Sequence, residues 1–101
     1  MTWPVYVADR YGHMIYMTAE RWRHAKRHRG MNDEILPKVL STLRESRRRQ
    51  EEPFSDVFRY EKPFRGLPLG YKKIIVVVKF EFDPSNVYHE NNFVMTAYLH
   101  Y

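Results

Sequence analysis

Cysteine is absent from this chain of 101 residues, which excludes disulfide bonds and metal sites built on thiolates. Long apolar runs are also missing, and none approaches the roughly 20 residues that a membrane-spanning helix needs. The segment "MTWPVYVADR" contains no basic region followed by an apolar core, so we expect no signal peptide. These absences favour a cytoplasmic protein that does not bind a membrane.

The composition is that of a folded protein. Hydrophobic residues make up 44% of the chain and aromatic residues 16%, which is far from the polar, aromatic-poor composition of disordered chains. A chain of this length is close to the commonest domain size. We therefore predict a single domain over residues 1–101.

Positive charge is concentrated in the first half of the sequence. The net charge is +5; residues 1–50 carry 11 basic and 5 acidic residues, a net charge of +6, whereas residues 51–101 carry 6 and 7, a net charge of −1. Such a surface attracts polyanions such as RNA or DNA, although a basic helix face can equally be plain solvated surface. The candidate nucleic-acid contacts are Arg23, Lys26, Arg27, Arg47, Arg48 and Arg49.

Two helices are predicted in the basic half, after a hairpin of two short strands in "VYVADRYGHMIYMT". Thr18 is a suitable N-cap for a helix from about Ala19 to Arg29, and Gly30 would end it. The second helix follows "MND", with Pro37 in its first turn. Its apolar stripe at helical spacing consists of Ile35, Leu36, Val39, Leu40 and Leu43.

The second half has the pattern of strands. "SDVFRYEKPF", "YKKIIVVVKFEF" and "NFVMTAYLHY" are predicted strands, the second of them central, and "DPSNVYHEN" is predicted to be a loop. The expected fold is α+β, with two N-terminal helices packed on a mainly antiparallel four-stranded sheet, preceded by a short N-terminal hairpin. The last strand is also a candidate sheet edge that could pair with a second copy in a homodimer.

Side chains alternate across a strand, so each strand divides its residues between two faces. In the last strand this alternation puts Phe93, Met95 and Leu99 on the core side with Ala97. Lys79 interrupts the apolar run of the central strand, which is costly unless the charge is used. The polar face can be solvated surface or a phosphate-handling set. It gathers Arg59, Glu61, Lys79, Glu81, Thr96, Tyr98 and His100.

The stretch "TAERWRHAKRHRG" contains two histidines four residues apart. If Trp22 and Ala25 face the core, His28 flanks the helix interface and His24 is exposed. No third ligand accompanies the pair, so we expect no metal site, and no motif indicates a cofactor. Either imidazole could be a general acid or base, but this helix reaches the polar face only around an edge of the sheet.

Several of these segments resemble one known family. "ADRYGHMIYMTAERWRHAKRH", "FRYEK", "IIVVVKF" and "VMTAY" are similar, in order, to the phage-associated branch of the barnase/EndoU/colicin/RelE-like nuclease superfamily. The resemblance implies helices packed on a four-stranded antiparallel sheet. It also implies a metal-independent ribonuclease of toxin type, in which the ribose 2′-hydroxyl attacks the adjacent phosphate and leaves a 2′,3′-cyclic phosphate.

The same resemblance implies roles for individual residues. His24 would be the base or acid, Arg59 and Lys79 the phosphate cations, and Thr96 a phosphate-positioning group. Tyr98 would stack a base or share in proton transfer. The supporting residues would be His28 and Tyr60.

Two hypotheses from different classes remain at this point. One is a ribonuclease that RNA reaches through the basic half, with an acidic antitoxin or immunity protein as a further partner. The other is a non-catalytic RNA- or protein-binding module of a phage or toxin–antitoxin system. They differ in whether His24 comes together with Arg59, Lys79 and Thr96.

Overall fold

The computed structural model describes residues 2–53, 55–83 and 86–101. It contains two helices, which are α1 (Ala19–Ala25) and α2 (Leu36–Glu45). Its strands are β1 (Val5–Ala8), β2 (Met14–Met17), β3 (Arg48–Gln50), β4 (Val57–Pro63), β5 (Lys73–Lys79), β6 (Phe82–Asp83), β7 (Asn86–Glu90) and β8 (Asn92–His100). Short 3-10 turns occupy Asp33–Ile35 and Pro68–Gly70.

Both helices begin where local chemistry predicts. The Thr18 hydroxyl accepts a hydrogen bond from the backbone N–H of Arg21 at 3.1 Å and so caps α1. Pro37 lies in the first turn of α2, where its missing N–H costs nothing. The first helix is shorter than expected, because the α-helix ends at Ala25 and turns lead from there to Gly30.

The expected four-stranded antiparallel sheet is wrong, because the main sheet has six strands and is mixed. Its strand order is β1-β2-β8-β5-β4-β3. The N-terminal hairpin does not simply precede the sheet: β2 pairs in parallel with β8 and so brings β1 into the sheet. At the opposite edge, β3 pairs antiparallel with β4. No local sequence pattern predicts that the hairpin and β3 join the sheet, because both depend on pairing between distant or very short segments.

The parallel pairing of β2 with β8 is brief. It covers only Ile15 with Asn92 and Tyr16 with Phe93. Farther along β8, α1 and the turn after it pack against the strand instead. The last strand was expected at an edge of the sheet, but it lies between β2 and β5. A homodimer stays a prediction.

The predicted division of the β8 side chains between the two faces is wrong before Thr96, because the strand contains a β-bulge. Thr96 lies opposite Val77, but Val94 lies opposite Val78, so Met95 is an additional residue. Val94 is fully buried, on the same side as Ala97 and Leu99. Phe93, predicted to face the core, instead lies opposite Lys79.

Two other segments also differ from expectation. Arg48 and Arg49 of the basic run lie in β3 rather than in a helical half, and Arg47 comes directly before that strand. The segment predicted as a loop contains the end of β6 and all of β7, and these two strands pair antiparallel in a separate two-stranded sheet. Pro84 and Ser85, within that segment, lie outside the described residues.

The hydrophobic core lies between the helices and one face of the main sheet. Trp22 and Ala25 of α1, and Val39 and Leu43 of α2, are buried there. They pack with buried residues of five strands, which are Val7, Ile15, Met17, Tyr60, Ile74, Val76, Val78, Val94, Ala97 and Leu99. In the described part of the chain, no helix is long and apolar enough to cross a membrane.

Candidate functional site

The face of the main sheet opposite the core, here called the open face, carries rows of side chains, and three of these rows contain the predicted site residues of β4, β5 and β8 that lie on this face. Each row is set by the residues that lie opposite one another in neighbouring strands. The first row consists of Tyr6, Tyr16, Phe93, Lys79 and Val57. The second consists of Thr96, Val77, Arg59 and Arg49, and the third of Tyr98, Ile75 and Glu61.

His28 reaches this face around the edge of β8. It lies in the turn after α1, and its Nε2 is 3.2 Å from the Oγ1 of Thr96, within hydrogen-bonding distance. Its ring centroid is 5.5 Å from that of Tyr98. This approach is open because β2 pairs with only the first two residues of β8. His28 is nevertheless exposed to solvent, so a substrate can reach its ring.

His24, the predicted base, is placed elsewhere. It is exposed and lines a surface depression of about 340 Å³ together with Glu20, Arg23 and Arg27. That depression contains none of the strand residues of the open face. Of the two histidines, the structure therefore brings His28 to Thr96 and Tyr98.

Arg59 lies in the second row, two strands from Thr96. Its Nε and Nη2 donate hydrogen bonds to the two carboxylate oxygens of Glu51 at 2.9 and 3.1 Å. These bonds raise the pKa of the Arg59 guanidinium, and Tyr98 contributes to the same shift. Arg59 is therefore held on the open face by an anion that a phosphate would have to replace.

Lys79 lies on the same face, two residues beyond Val77 and thus roughly 7 Å farther along β5. Its Nζ is 3.8 Å from Oε2 of Glu81, and both side chains are about a third exposed. A contact of this length at the surface contributes little to stability. The ammonium group is therefore available to another anion.

The three consecutive arginines of residues 47–49 line one depression, but their side chains point to two sides of β3. A depression of about 260 Å³ is lined by Arg47, Arg48, Arg49, Arg59 and Glu61. Arg49 lies opposite Arg59 on the open face, and by strand alternation Arg47 is on the same side. Glu61 forms an ion pair with Lys73, which lowers the pKa of its carboxyl group.

Arg48 points to the other side of β3 and binds the buried carboxylate of Asp9 through Nη1 at 2.9 Å. The hydroxyl of Tyr60 donates to the same carboxylate oxygen. The second carboxylate oxygen of Asp9 accepts hydrogen bonds from the backbone N–H groups of Tyr11 and His13. Arg48 also stacks over the ring of Phe58. Arg48 and Tyr60, both predicted site residues, thus belong to a buried polar cluster and not to the open face.

The remaining predicted nucleic-acid contacts lie in two different places. Lys26 donates to Asp33 at 2.8 Å, and the indole N–H of Trp22 donates to the same oxygen at 2.9 Å. Lys26 is therefore engaged in fixing the turn that follows α1. Arg23 and Arg27 are exposed beside His24.

The aromatic part of the first row was not predicted. Alternation along β1 and β2 is enough to place Tyr6 and Tyr16 on one face of a hairpin. Only the pairing of β2 with β8, and the bulge that turns Phe93 outward, aligns the third ring with them.

Among the described residues, no group of three or more histidine, aspartate or glutamate side chains is placed to hold a metal ion. Comparison of the chain with protein-family models, curated proteins and solved structures finds no significant match in any of the three. Function is therefore argued below from the geometry of the open face.

Proposed function

We propose that the protein is a metal-independent endoribonuclease of toxin type whose site is the open face, with His28 as its base. The observation that supports this most directly is the 3.2 Å contact of His28 with Thr96, beside Tyr98. An exposed imidazole next to a hydroxyl and a phenol, with Arg59 and Lys79 on the same face, provides the groups that phosphoryl transfer needs. His28 takes the role that the sequence predicted for His24, because His24 lies away from the strand residues of the open face.

In the proposed reaction, His28 Nε2 removes the proton from a ribose 2′-hydroxyl, and the 2′-oxygen attacks the adjacent phosphorus. The bond from phosphorus to the 5′-oxygen then breaks, leaving a 2′,3′-cyclic phosphate. Tyr98 donates the proton that the 5′-oxygen needs to leave as a hydroxyl. Arg59 and Lys79 stabilise the charge that develops on the phosphorane, and Thr96 holds the phosphate.

A second candidate function is a non-catalytic RNA-binding module, and one observation favours it. Both proposed phosphate cations already lie beside carboxylates, Arg59 beside Glu51 and Lys79 beside Glu81. Binding requires only that RNA phosphates displace these carboxylates, whereas catalysis also requires His28 to move a proton. An acidic antitoxin or immunity protein remains a proposed partner in either case, because the same cations would bind its carboxylates.

The two functions are separated by incubating total RNA with purified protein in excess chelator. We expect 2′,3′-cyclic ends in the wild type and a loss of about 100-fold or more in cleavage rate for His28→Ala. His24→Ala is the matched control: an exposed histidine four residues away on the same segment, expected to cleave at the wild-type rate. Lys79→Ala should also lose cleavage.

Intact RNA with all of these proteins would overturn the ribonuclease and leave the binding module. Equal cleavage by His28→Ala and the wild type would reject His28 as the base even if RNA is cut. Loss of cleavage in His24→Ala alone would identify His24 as the base.

A further inference from the structure

Three aromatic rings form a continuous row on the open face, across β1, β2 and β8. The ring centroids of Tyr6 and Tyr16 are 5.8 Å apart, and those of Tyr16 and Phe93 are 6.1 Å apart. The row therefore extends from the β1 edge of the main sheet to its middle. Lys79 is the next residue of the row, directly opposite Phe93.

The rings leave part of their surface open to a ligand. Neighbouring rings are tilted by 41° and 42° instead of lying parallel, so they do not cover each other's faces. Tyr6, which lies in the edge strand β1, is 62% exposed. Tyr16 is held in place because its hydroxyl donates to Asn91 Oδ1 at 2.7 Å. Rigid, partly uncovered aromatic rings are the usual platforms for nucleobases.

A depression of about 340 Å³ lies beside the row. Tyr16 and Phe93 provide apolar surface, while polar groups able to hydrogen-bond the edge of a base also line it. These polar residues are Thr18, Glu20, Arg21, Glu81 and Asn91.

The charges of the open face match a nucleic-acid backbone next to such bases. The row containing Thr96 and Arg59 is adjacent to the aromatic row, and Lys79 follows Phe93 in the aromatic row itself. Phosphates lying over Arg59 and Lys79 would leave the attached bases directed toward Phe93 and Tyr16. A duplex buries the faces of its bases, so only an unpaired strand can use the rings.

We propose that Tyr6, Tyr16 and Phe93 stack the unpaired bases of single-stranded RNA next to the phosphate held at Thr96. This inference rests on the proposed function of the open face and names its substrate class. Specificity for single strands then comes from the aromatic row, whereas the cations contribute affinity for any polyanion.

Binding is measured with a 2′-O-methyl RNA oligonucleotide, which has no free 2′-hydroxyl and so cannot be cleaved by the proposed reaction. One base is replaced by 2-aminopurine, whose fluorescence falls when it stacks. We expect the single strand to bind more tightly than its duplex, with quenching. Tyr6→Ala and Phe93→Leu should each weaken single-strand binding by about 5- to 100-fold.

Salt dependence separates stacking from charge. The aromatic variants should keep the wild-type slope of log affinity against log salt, because they remove no cation. Tyr101→Ala is the matched control: its side chain is 63% exposed, close to the 62% of Tyr6, but it lies outside the aromatic row and should bind as the wild type. Thermal melts check the fold of Phe93→Leu, and Tyr6→Ala at the exposed edge tests the idea even if Phe93→Leu is unstable.

Equal affinity for single strand and duplex, or unchanged binding by Tyr6→Ala, would overturn the inference. If the aromatic variants bind like the wild type while cleavage still depends on His28, the ribonuclease stands and the stacking row does not. If they lose binding while no RNA is cleaved by any protein, the row stands and the binding module replaces the ribonuclease.

Discussion

At the scale of single residues, the carboxylate of Asp9 organises the buried side of the hairpin. It accepts four hydrogen bonds, two from backbone N–H groups and two from the side chains of Arg48 and Tyr60. Buried charge is tolerated only when it is paired in this way. Burial, together with the hydrogen bond to Asp9, raises the pKa of the Tyr60 phenol well above its ordinary value.

This shift predicts a specific loss of stability in alkaline solution. Because the pKa of Tyr60 is higher in the folded chain than in the unfolded chain, its stabilisation is complete below about pH 10 and declines as the pH rises further. We expect Tyr60→Phe to be less stable than the wild type by about 1–3 kcal/mol at pH 8. This difference in the free energy of unfolding between the wild type and Tyr60→Phe should be smaller by about 1 kcal/mol at pH 11.

Urea unfolding of both proteins at pH 8, 10 and 11 measures the difference. Lysines titrate in both proteins and cancel in the comparison. A gap that stays constant across this range would show that Tyr60 ionises as easily in the folded chain as in the unfolded one.

At the scale of elements, local sequence patterns predict which segments form helices or strands better than they predict which strands pair. The helical stripe of α2 and the apolar run of β5 are strong periodic patterns, and the structure confirms both. The three residues of β3 are basic and polar and carry no strand pattern; they form a strand because β4 offers an edge. The bulge at Met95 has no local signal either, although it decides which residues of β8 face the core.

The same limit applies to the candidate site. Alternation in the strands correctly grouped Arg59, Lys79, Thr96 and Tyr98 on one face. Which histidine lies beside Thr96 depends on how far the chain turns after α1, which no residue pattern reports. It also depends on the short pairing of β2 with β8, a contact between distant parts of the sequence that leaves the rest of the β8 edge open to His28.

Gly30 is the part of this turn most sensitive to substitution. It has a φ of +82°, and a Cβ there would lie 2.8 Å from Cδ1 of Leu99. Gly66 has a similar φ of +75° but open space around it. We expect Gly66→Ala to lose about 1–2 kcal/mol from backbone strain, and Gly30→Ala to lose about 1 kcal/mol more because of overpacking.

Denaturant melts of the two variants provide the comparison. If His28 is the base, Gly30→Ala should also cleave RNA more slowly than Gly66→Ala, because it displaces the turn that carries His28. Equal stability and equal cleavage in the two variants would mean that the contact with Leu99 is easily relieved.

At the scale of the whole molecule, the sheet joins segments that are far apart in sequence. The side chain of Asn92 donates to the backbone carbonyl of Met14 across 78 residues, whereas β4 and β5 are consecutive in the main sheet. Contacts of long sequence separation form late, because closing the chain costs entropy before it is repaid.

Folding kinetics should therefore differ between two matched core variants. Ile15 in β2 and Ile74 in β5 are both fully buried, so Ile→Val should cost each about 0.5–1.5 kcal/mol. We expect Ile74→Val chiefly to slow folding and Ile15→Val chiefly to speed unfolding, which chevron plots of both proteins measure. A slower folding rate for Ile15→Val alone would place the hairpin in the folding nucleus.

The interior position of β8 also limits when the main sheet can be completed. β2 and β5 both precede in sequence the strand that lies between them, so each has an unpaired edge in any partly folded state that lacks β8. Thr96 and Tyr98, the partners of His28, arrive with that strand. A chain in which β8 has not yet joined the sheet therefore lacks the contacts of the candidate site, and an agent that bound the exposed edges of β2 and β5 in that state would keep those contacts from forming.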